Sequence, residues 1–375
     1  MSTLRIHFPG KLVFGNHCID QLPDEVTTLA AARVFIVTIT PLLTPLQPLI
    51  HQLEKKGIHI AVYTGITQEP SFEDFNQVMA EAGPFDPDLV LGIGGGSVLD
   101  VAKLVAAQLG NDQSLSDYVG IGLLKGRKRK LICMPATSGT GSEVSPNAIL
   151  VDNADNQKKG IISPFLVPDI VFVDPLLTIS VPPAITAATG LDALTHCLEA
   201  YTNTFAQPFI DMYAFEGMRL IAANLVRAVR NGADEEARSQ VAMGSLLGGF
   251  CLGPVNTAAV HALSYPLGSS FHLPHGLSNA LLLPYVMEFN LPATPGRYAG
   301  VARALGANTA EEGITKVRQL IRDCGIPATL KEVGVPFDAI ETMAADAMKI
   351  TRLLKNNPRP VTIDDAISIY KAAYE

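Results

Sequence analysis

Cysteine is sparse in this 375-residue chain, and no Cys-x-x-Cys pair occurs. Cys18, Cys133, Cys197, Cys251 and Cys324 are scattered and odd in number, which argues against a disulfide framework or a thiolate zinc site. Reduced thiols in a cytoplasmic protein are the expectation. Basic charge is also short. The net charge is −8, and the one basic run, residues 125–130, reads as a solvated loop, so a nucleic-acid partner is not expected. Met1-Ser2-Thr3-Leu4-Arg5 lacks the charged-then-apolar layout of a signal peptide. Charges, glycines or prolines interrupt each apolar run before it reaches transmembrane length, so no membrane partner is expected. There is no internal repeat, and no compelling Ser-His-Asp or Cys-His arrangement offers a side-chain nucleophile.

What remains is a composition rich in core-forming residues. Hydrophobic residues make up 48% and charged residues 17%, as in a soluble globular protein, and the length suggests two domains. Strand-like runs fall at Leu4–Phe8, Leu12–Phe14, Val34–Thr38, Ile58–Tyr63, Leu89–Ile93, Leu131–Met134 and Ile170–Asp174. Helical spacing at Leu46–Lys56 and Phe72–Ala82 alternates with them, which predicts a parallel sheet with right-handed crossovers. From Ala184 the character changes. Apolar residues recur at helical spacing through Ala184–Tyr201, Phe209–Gly232, Glu235–Leu252, Arg297–Leu305, Glu311–Cys324, Phe337–Met348 and Ile363–Tyr370. The expected fold class is therefore an α/β, Rossmann-like domain over residues 1–180 and an all-α domain over 181–375.

Three stretches carry chemistry. After the Leu89–Ile93 strand comes a glycine-rich turn, Gly94-Gly95-Gly96-Ser97, leading into a helix with Asp100 and Lys103. Such a turn lets backbone approach a phosphate, and the helix start presents free N–H groups and the positive end of its dipole. Tight turns need glycine in any case, and Ser97 with Asp100 also fits a helix-cap pattern. The loop Pro135–Glu143, containing Thr137, Ser138 and Thr140, is rich in hydroxyl donors; it fits a polar turn equally well. The third stretch is Gly190–His196, which reads as helix and puts Asp192 and His196 on one face. His261 and His275 follow from distant segments. One carboxylate and three imidazoles suit Fe(II), Zn(II), Co(II) or Mn(II), although each group alone fits a helix surface, a cap or a core histidine.

Taken together, Thr189–Tyr201, Val260–Ser264, Pro274-His275-Gly276, Asn279-Ala280 and Leu283-Pro284 resemble the second half of the iron-containing (group III) alcohol dehydrogenases. The resemblance covers nearly the whole chain. It implies Asp192, His196, His261 and His275 as metal ligands, with Fe²⁺ first and Zn²⁺ second. It also implies a pyrophosphate site at Gly94, Gly95, Gly96, Ser97 and Asp100, and a loop at Thr137, Ser138 and Thr140 near the nicotinamide. Asn147 and Lys159 match positions near the coenzyme ribose and phosphate. The implied reaction is hydride transfer between an alcohol on the metal and NAD, with NADP not excluded, in the cleft between the domains. Members are commonly oligomeric, so a homo-oligomer is expected.

Three departures from the family bear on this. Tyr265 stands where many members have an extra histidine; it is a candidate pocket wall or proton donor, and the nearby His272 is a candidate for part of a proton relay. Ile39 stands where NAD-strict members have an aspartate that accepts from the ribose. Glu69 replaces an asparagine and could accept from the ribose itself. Phe250, Leu252, Val255 and Phe271 are candidate pocket walls or core, and no Arg or Lys that would suit an acidic substrate can be placed from sequence. The alternatives are a lyase of the dehydroquinate synthase type, which shares the architecture with NAD and zinc; a metallohydrolase, which leaves the glycine turn without a task; and a non-catalytic binding protein, which needs no open metal site.

Overall fold

The structure, a computed structural model, describes residues 3–154 and 157–375. They divide into two compact units. One comprises residues 6–137 and 142–178; the other gathers residues 179–375 with Ser138–Gly141 and residues 3–5. No helix among the described residues is long and apolar enough to cross a membrane.

The first unit runs β1 (Lys11–Phe14), α1 (Leu22–Thr28), β2 (Arg33–Val37), α2 (Leu43–Lys55), β3 (His59–Tyr63), α3 (Phe72–Phe85), β4 (Leu89–Gly94) and α4 (Gly96–Gln108). It continues with β5 (Gly120–Ile121), β6 (Lys130–Pro135), β7 (Asn147–Asp152), β8 (Gln157–Ile162) and β9 (Ile170–Val173). Six strands form an all-parallel sheet in the order β1-β9-β6-β4-β2-β3. Both faces are covered, which explains the continuous apolar runs. Phe35, Val37 and Val90 pack on one side with Phe75, Val78, Val98 and Leu99 of α3 and α4. Val34, Ile36, Leu89 and Leu91 pack on the other with Leu22, Val26, Leu46 and Leu53 of α1 and α2. Strand order reverses between β2 and β4, so the carboxyl ends of these two strands flank the crevice where such sheets bind ligands.

Two expectations change here. Leu4–Phe8 alternates like a strand but is not one; Pro9 and Gly10 interrupt it, and sheet pairing starts at Lys11. The antiparallel β7–β8 pair, joined by β5 in a small second sheet, was not expected, because Gln157-Lys158-Lys159 opens β8 with polar residues.

The second unit is helical: α5 (Pro183–Thr202), α6 (Pro208–Arg230), α7 (Glu235–Leu252), α8 (Ala259–Phe271), α9 (His275–Asn290), α10 (Pro295–Ala304), α11 (Ala310–Asp323), α12 (Ile340–Ala347), α13 (Thr351–Leu354) and α14 (Ile363–Tyr374). Helices α8 and α9 were not singled out from sequence. They carry Pro266 and Pro284 in their interiors, where proline argues against helix, and surrounding tertiary packing overrides that cost. Helix α5 is buried from Gly190 to Ala200 and packs on α6, α7 and α9. At Gly276 a Cβ would collide with the Ala188 carbonyl of α5, so only glycine lets the first turn of α9 lie against that helix.

Candidate active site

The close approach at Gly276 carries His275 to Asp192. The Asp192 Oδ1 atom lies 3.8 Å from His196 Nε2, 3.5 Å from His261 Nε2 and 3.7 Å from His275 Nε2. Ligand atoms of Asp192, His261 and His275 all fall within 4.8 Å of one another. The imidazole of His196 stacks on that of His261 with ring centroids 4.8 Å apart. Ligands about 2.0–2.2 Å from a tetrahedral ion are separated by roughly 3.3–3.6 Å, close to the spacing seen here. Asp192, His196 and His261 are buried, whereas the His275 side chain is 34% exposed and marks the open side.

The surroundings orient these groups. His196 Nδ1 faces the Gly139 carbonyl at 3.3 Å, which leaves Nε2 toward Asp192. Two residues further on, Gly141 adopts φ +61°, and a Cβ there would strike the Gly249 backbone of α7. Glu199 is buried and was not singled out from sequence. It accepts from His261 Nδ1 at 2.6 Å, from Ala258 N at 2.9 Å and from Val260 N at 2.6 Å. Helix α8 has no side-chain cap at Ala258 and no acidic residue in its first turn, so Glu199 supplies both cap and negative charge from α5. The same carboxylate fixes the His261 tautomer with Nε2 facing Asp192. One signal was available: Asp192, His196 and Glu199 follow i, i+4, i+7 spacing on one helix face.

Electrostatics match this geometry. Burial alone would raise the Asp192 carboxyl, but His196, His275 and His261 hold it well below the usual carboxylate range. Burial pulls His196 below its ordinary value. Burial acts the same way on His261, yet Glu199 and Asp192 outweigh it and push the imidazole up to about 10. Asn279 is the second missed residue. Its amide nitrogen sits 2.7 Å from Asp192 Oδ1, 3.1 Å from His261 Nε2 and 3.3 Å from His275 Nε2. The amide nitrogen thus faces Asp192 Oδ1 and two imidazole nitrogens, while Asn279 Oδ1 is buried with no partner. The carboxylate oxygen and imidazole nitrogens that converge here fit a divalent cation.

The two candidate proton donors separate. The Tyr265 ring lies 6.3 Å from that of His275, and its hydroxyl accepts from Arg352 Nη2 at 2.9 Å. His272 is exposed at the end of α8 in the left-handed conformation, φ 54°, and the structure does not bring it into the cluster.

In the α/β unit, β4 ends at Gly94 and α4 begins at Gly96. The helix N-cap is Gly95 in extended conformation with no side-chain cap, which corrects the cap pattern expected of Ser97 with Asp100. Serine lies inside the first turn, and Asp100 turns inward to accept from Ser142 Oγ at 2.5 Å and Ile149 N at 2.9 Å. Lys103 is fully buried and donates to Ser142 Oγ, Ser145 O and Asn147 O. Asp100 and Lys103 thus brace the chain from 142 to 149, while the first N–H groups of α4 stay uncapped by any side chain. Thr137 faces Gly95 across this turn, and a Cβ on Gly95 would sit 3.5 Å from Thr137 Oγ1. Ser138 and Thr140 belong to the segment grouped with the helical unit. Asn147 Oδ1 is buried without a partner. Lys159 lies 4.0 Å from Asp152. Glu69 pairs with Lys158 at 2.5 Å, so the carboxylate expected to accept from a ribose already has a cationic partner.

Comparison with known proteins follows this layout. Residues 9–175 match the family described as iron-containing alcohol dehydrogenase, and residues 186–374 match the C-terminal part of the Fe-containing alcohol dehydrogenase family. The chain is 39% identical over 388 residues to long-chain-alcohol dehydrogenase 1 of Geobacillus thermodenitrificans, covering 100% of this chain and 98% of that protein. Among solved structures, 1,3-propanediol oxidoreductase superposes with a TM-score of 0.96 at 32% identity, with 100% of both chains covered. Sulfoacetaldehyde reductase from Bifidobacterium kashiwanohense, solved in complex with NAD⁺, gives 0.91 at 27% identity and covers 100% of this chain and 99% of its own.

Proposed function

Because this chain belongs to the iron-containing alcohol dehydrogenase family, we propose that Asp192, His196, His261 and His275 form the metal centre of an NAD(P)-dependent alcohol dehydrogenase and aldehyde reductase. One observation supports this reading most: a carboxylate and three imidazole Nε2 atoms converge at metal-ligand spacing beside a tautomer-fixing carboxylate. When bound there, a divalent cation supplies a Lewis acid that eases alcohol deprotonation and polarises a carbonyl, and nicotinamide supplies the two-electron acceptor.

The chain's own residues do the rest. Glu199 holds His261 with Nε2 directed inward, and Gly139 does the same for His196. The uncapped start of α4 at Gly94, Gly95, Gly96 and Ser97 offers N–H groups to a pyrophosphate. Thr137, Ser138, Thr140, Asn147 and Lys159 are assigned to the coenzyme on motif grounds, and Asp100 to bracing the loop rather than to contact. Tyr265 lies beside His275 on the exposed side, where it contacts the alcohol or aldehyde. Fe²⁺ is the leading metal and Zn²⁺ the second. NAD is the favoured coenzyme, since a relative was solved with NAD⁺. The five buried, unpaired cysteines support a reducing, cytoplasmic setting. Family membership favours the dehydrogenase over the lyase reading.

The test is nicotinamide absorbance with a panel of alcohols and aldehydes, on protein stripped by chelator and reloaded separately with Fe(II) and Zn(II). Activity is expected to vanish on stripping and return on reloading. Metal-replete protein that turns over no alcohol or aldehyde with either coenzyme would overturn the assignment.

A further inference from the structure

Arg352 lies on the short helix α13 and is partly buried. Its Nη2 donates to the Tyr265 hydroxyl at 2.9 Å, and its guanidinium carbon lies 6.0 Å from the centre of that ring. Tyr265 in turn borders His275, the most exposed member of the metal-ligand cluster. Several arginines of the helical unit have a carboxylate partner: Arg297 pairs with Asp211, Arg318 with Glu288 and Arg227 with Asp234. Among the described residues no carboxylate pairs with Arg352, and its Nε and Nη1 have no hydrogen-bond partner. A partly desolvated guanidinium with open donors, one side chain removed from the proposed reaction centre, is a ready receptor for a carboxylate, which it can bind through two parallel hydrogen bonds.

We propose that Arg352 is a specificity-determining residue that selects short aldehydes and alcohols carrying a carboxylate at the end remote from the reacting carbon. The proposal rests on the Asp192 cluster being the reaction centre. The substrate then spans the cluster and the guanidinium: its oxygen-bearing carbon lies at the His275 side, and its anionic end meets the open donors of Arg352. Tyr265 holds the guanidinium in place from below by its hydroxyl. A purely structural Arg352, serving only as a lid over the Tyr265 ring, is the competing outcome.

The experiment compares succinic semialdehyde with butanal, a charged and a neutral aldehyde of equal carbon count, on metal-loaded wild type, Arg352→Met and Arg352→Lys. Wild type is expected to favour succinic semialdehyde in kcat/KM. In Arg352→Met that preference should fall about 10- to 100-fold, mainly through KM, as expected for loss of a charged hydrogen bond. Arg352→Lys should keep part of it. Calorimetric binding of γ-hydroxybutyrate without coenzyme should weaken in parallel, giving a readout independent of turnover. Wild type that reduces butanal as well as the charged aldehyde, or a preference unchanged by Arg352→Met, would overturn the proposal while leaving the metal centre intact. Failure to reduce either aldehyde would instead count against the reaction centre itself.

Discussion

Replacing Glu199 by glutamine tests how the helical unit prepares its proposed metal site. The carboxylate accepts three hydrogen bonds in a buried setting: from Ala258 N, Val260 N and His261 Nδ1. A glutamine of the same shape has one acceptor oxygen and turns an amide donor toward the remaining N–H groups. Leaving a buried donor unsatisfied costs about 1–3 kcal/mol, so Glu199→Gln should destabilise the metal-free protein by roughly 2–5 kcal/mol, with the lost anion at the start of α8 included. That is a large share of the ~5–15 kcal/mol that holds a typical domain together. The second consequence is for the ligand. Without an acceptor for Nδ1–H, His261 is free to rotate or change tautomer, and loss of such a partner typically weakens metal binding about 10- to 100-fold. Urea unfolding of the stripped protein measures the first effect, and competition against a chromogenic chelator measures the second. A metal affinity within twofold of wild type would refute the claim that Glu199 orients His261. An unchanged unfolding midpoint would show that the α8 donors find other acceptors.

Two further perturbations address the α/β unit. A Cβ on Gly95 meets only ordinary contact, 3.5 Å from Thr137 Oγ1, and the residue has a φ of −75° that alanine accepts. Gly95→Ala should therefore fold normally yet bind NAD at least ~10-fold more weakly, because the methyl stands where a pyrophosphate approaches the backbone; unchanged coenzyme affinity in calorimetry would move the phosphate site elsewhere. Glu143 is buried, and burial pushes its carboxyl from the ordinary 4.5 up to about 7. The native state then holds this proton more tightly than the unfolded chain. Stability from this group falls as pH rises from about 4.5 through about 7, by about 3 kcal/mol in all. Glu143→Gln should flatten that slope and stabilise the protein at pH values above 7 relative to wild type; denaturation curves with the same pH dependence in both proteins would exclude it.

Much of the architecture was legible because it is written in local periodicity. Continuous β-branched runs such as Val34–Val37 mark strands buried on both faces, and the shift to helical spacing after Ala184 marks the second unit. The departures have local causes too. Pro266 and Pro284 hid helices α8 and α9, and the polar start of β8 hid the small second sheet. The proposed ligand residues were readable as residue types in a family pattern, as were the glycines at the end of β4. Their partners were not. Glu199 meets Ala258 and Val260, Asn279 meets Asp192, and Arg352 meets Tyr265, across separations of 59 to 87 residues.

The sequence alone supplied the residue types, a carboxylate with three imidazoles and a glycine turn ahead of a helix, and a family resemblance that assigns them to a cation and a phosphate. Short-range spacing puts Asp192 and His196 on one helix face, while His261 and His275 join them only through that resemblance. Tertiary structure decided which groups serve them. It turned Asp100 inward as a brace, gave Glu69 to Lys158, left His272 outside the cluster and set the Arg352 guanidinium against Tyr265. Such choices depend on contacts between helices and strands far apart in the chain, where burial and hydrogen-bond satisfaction, rather than local propensity, select the partner.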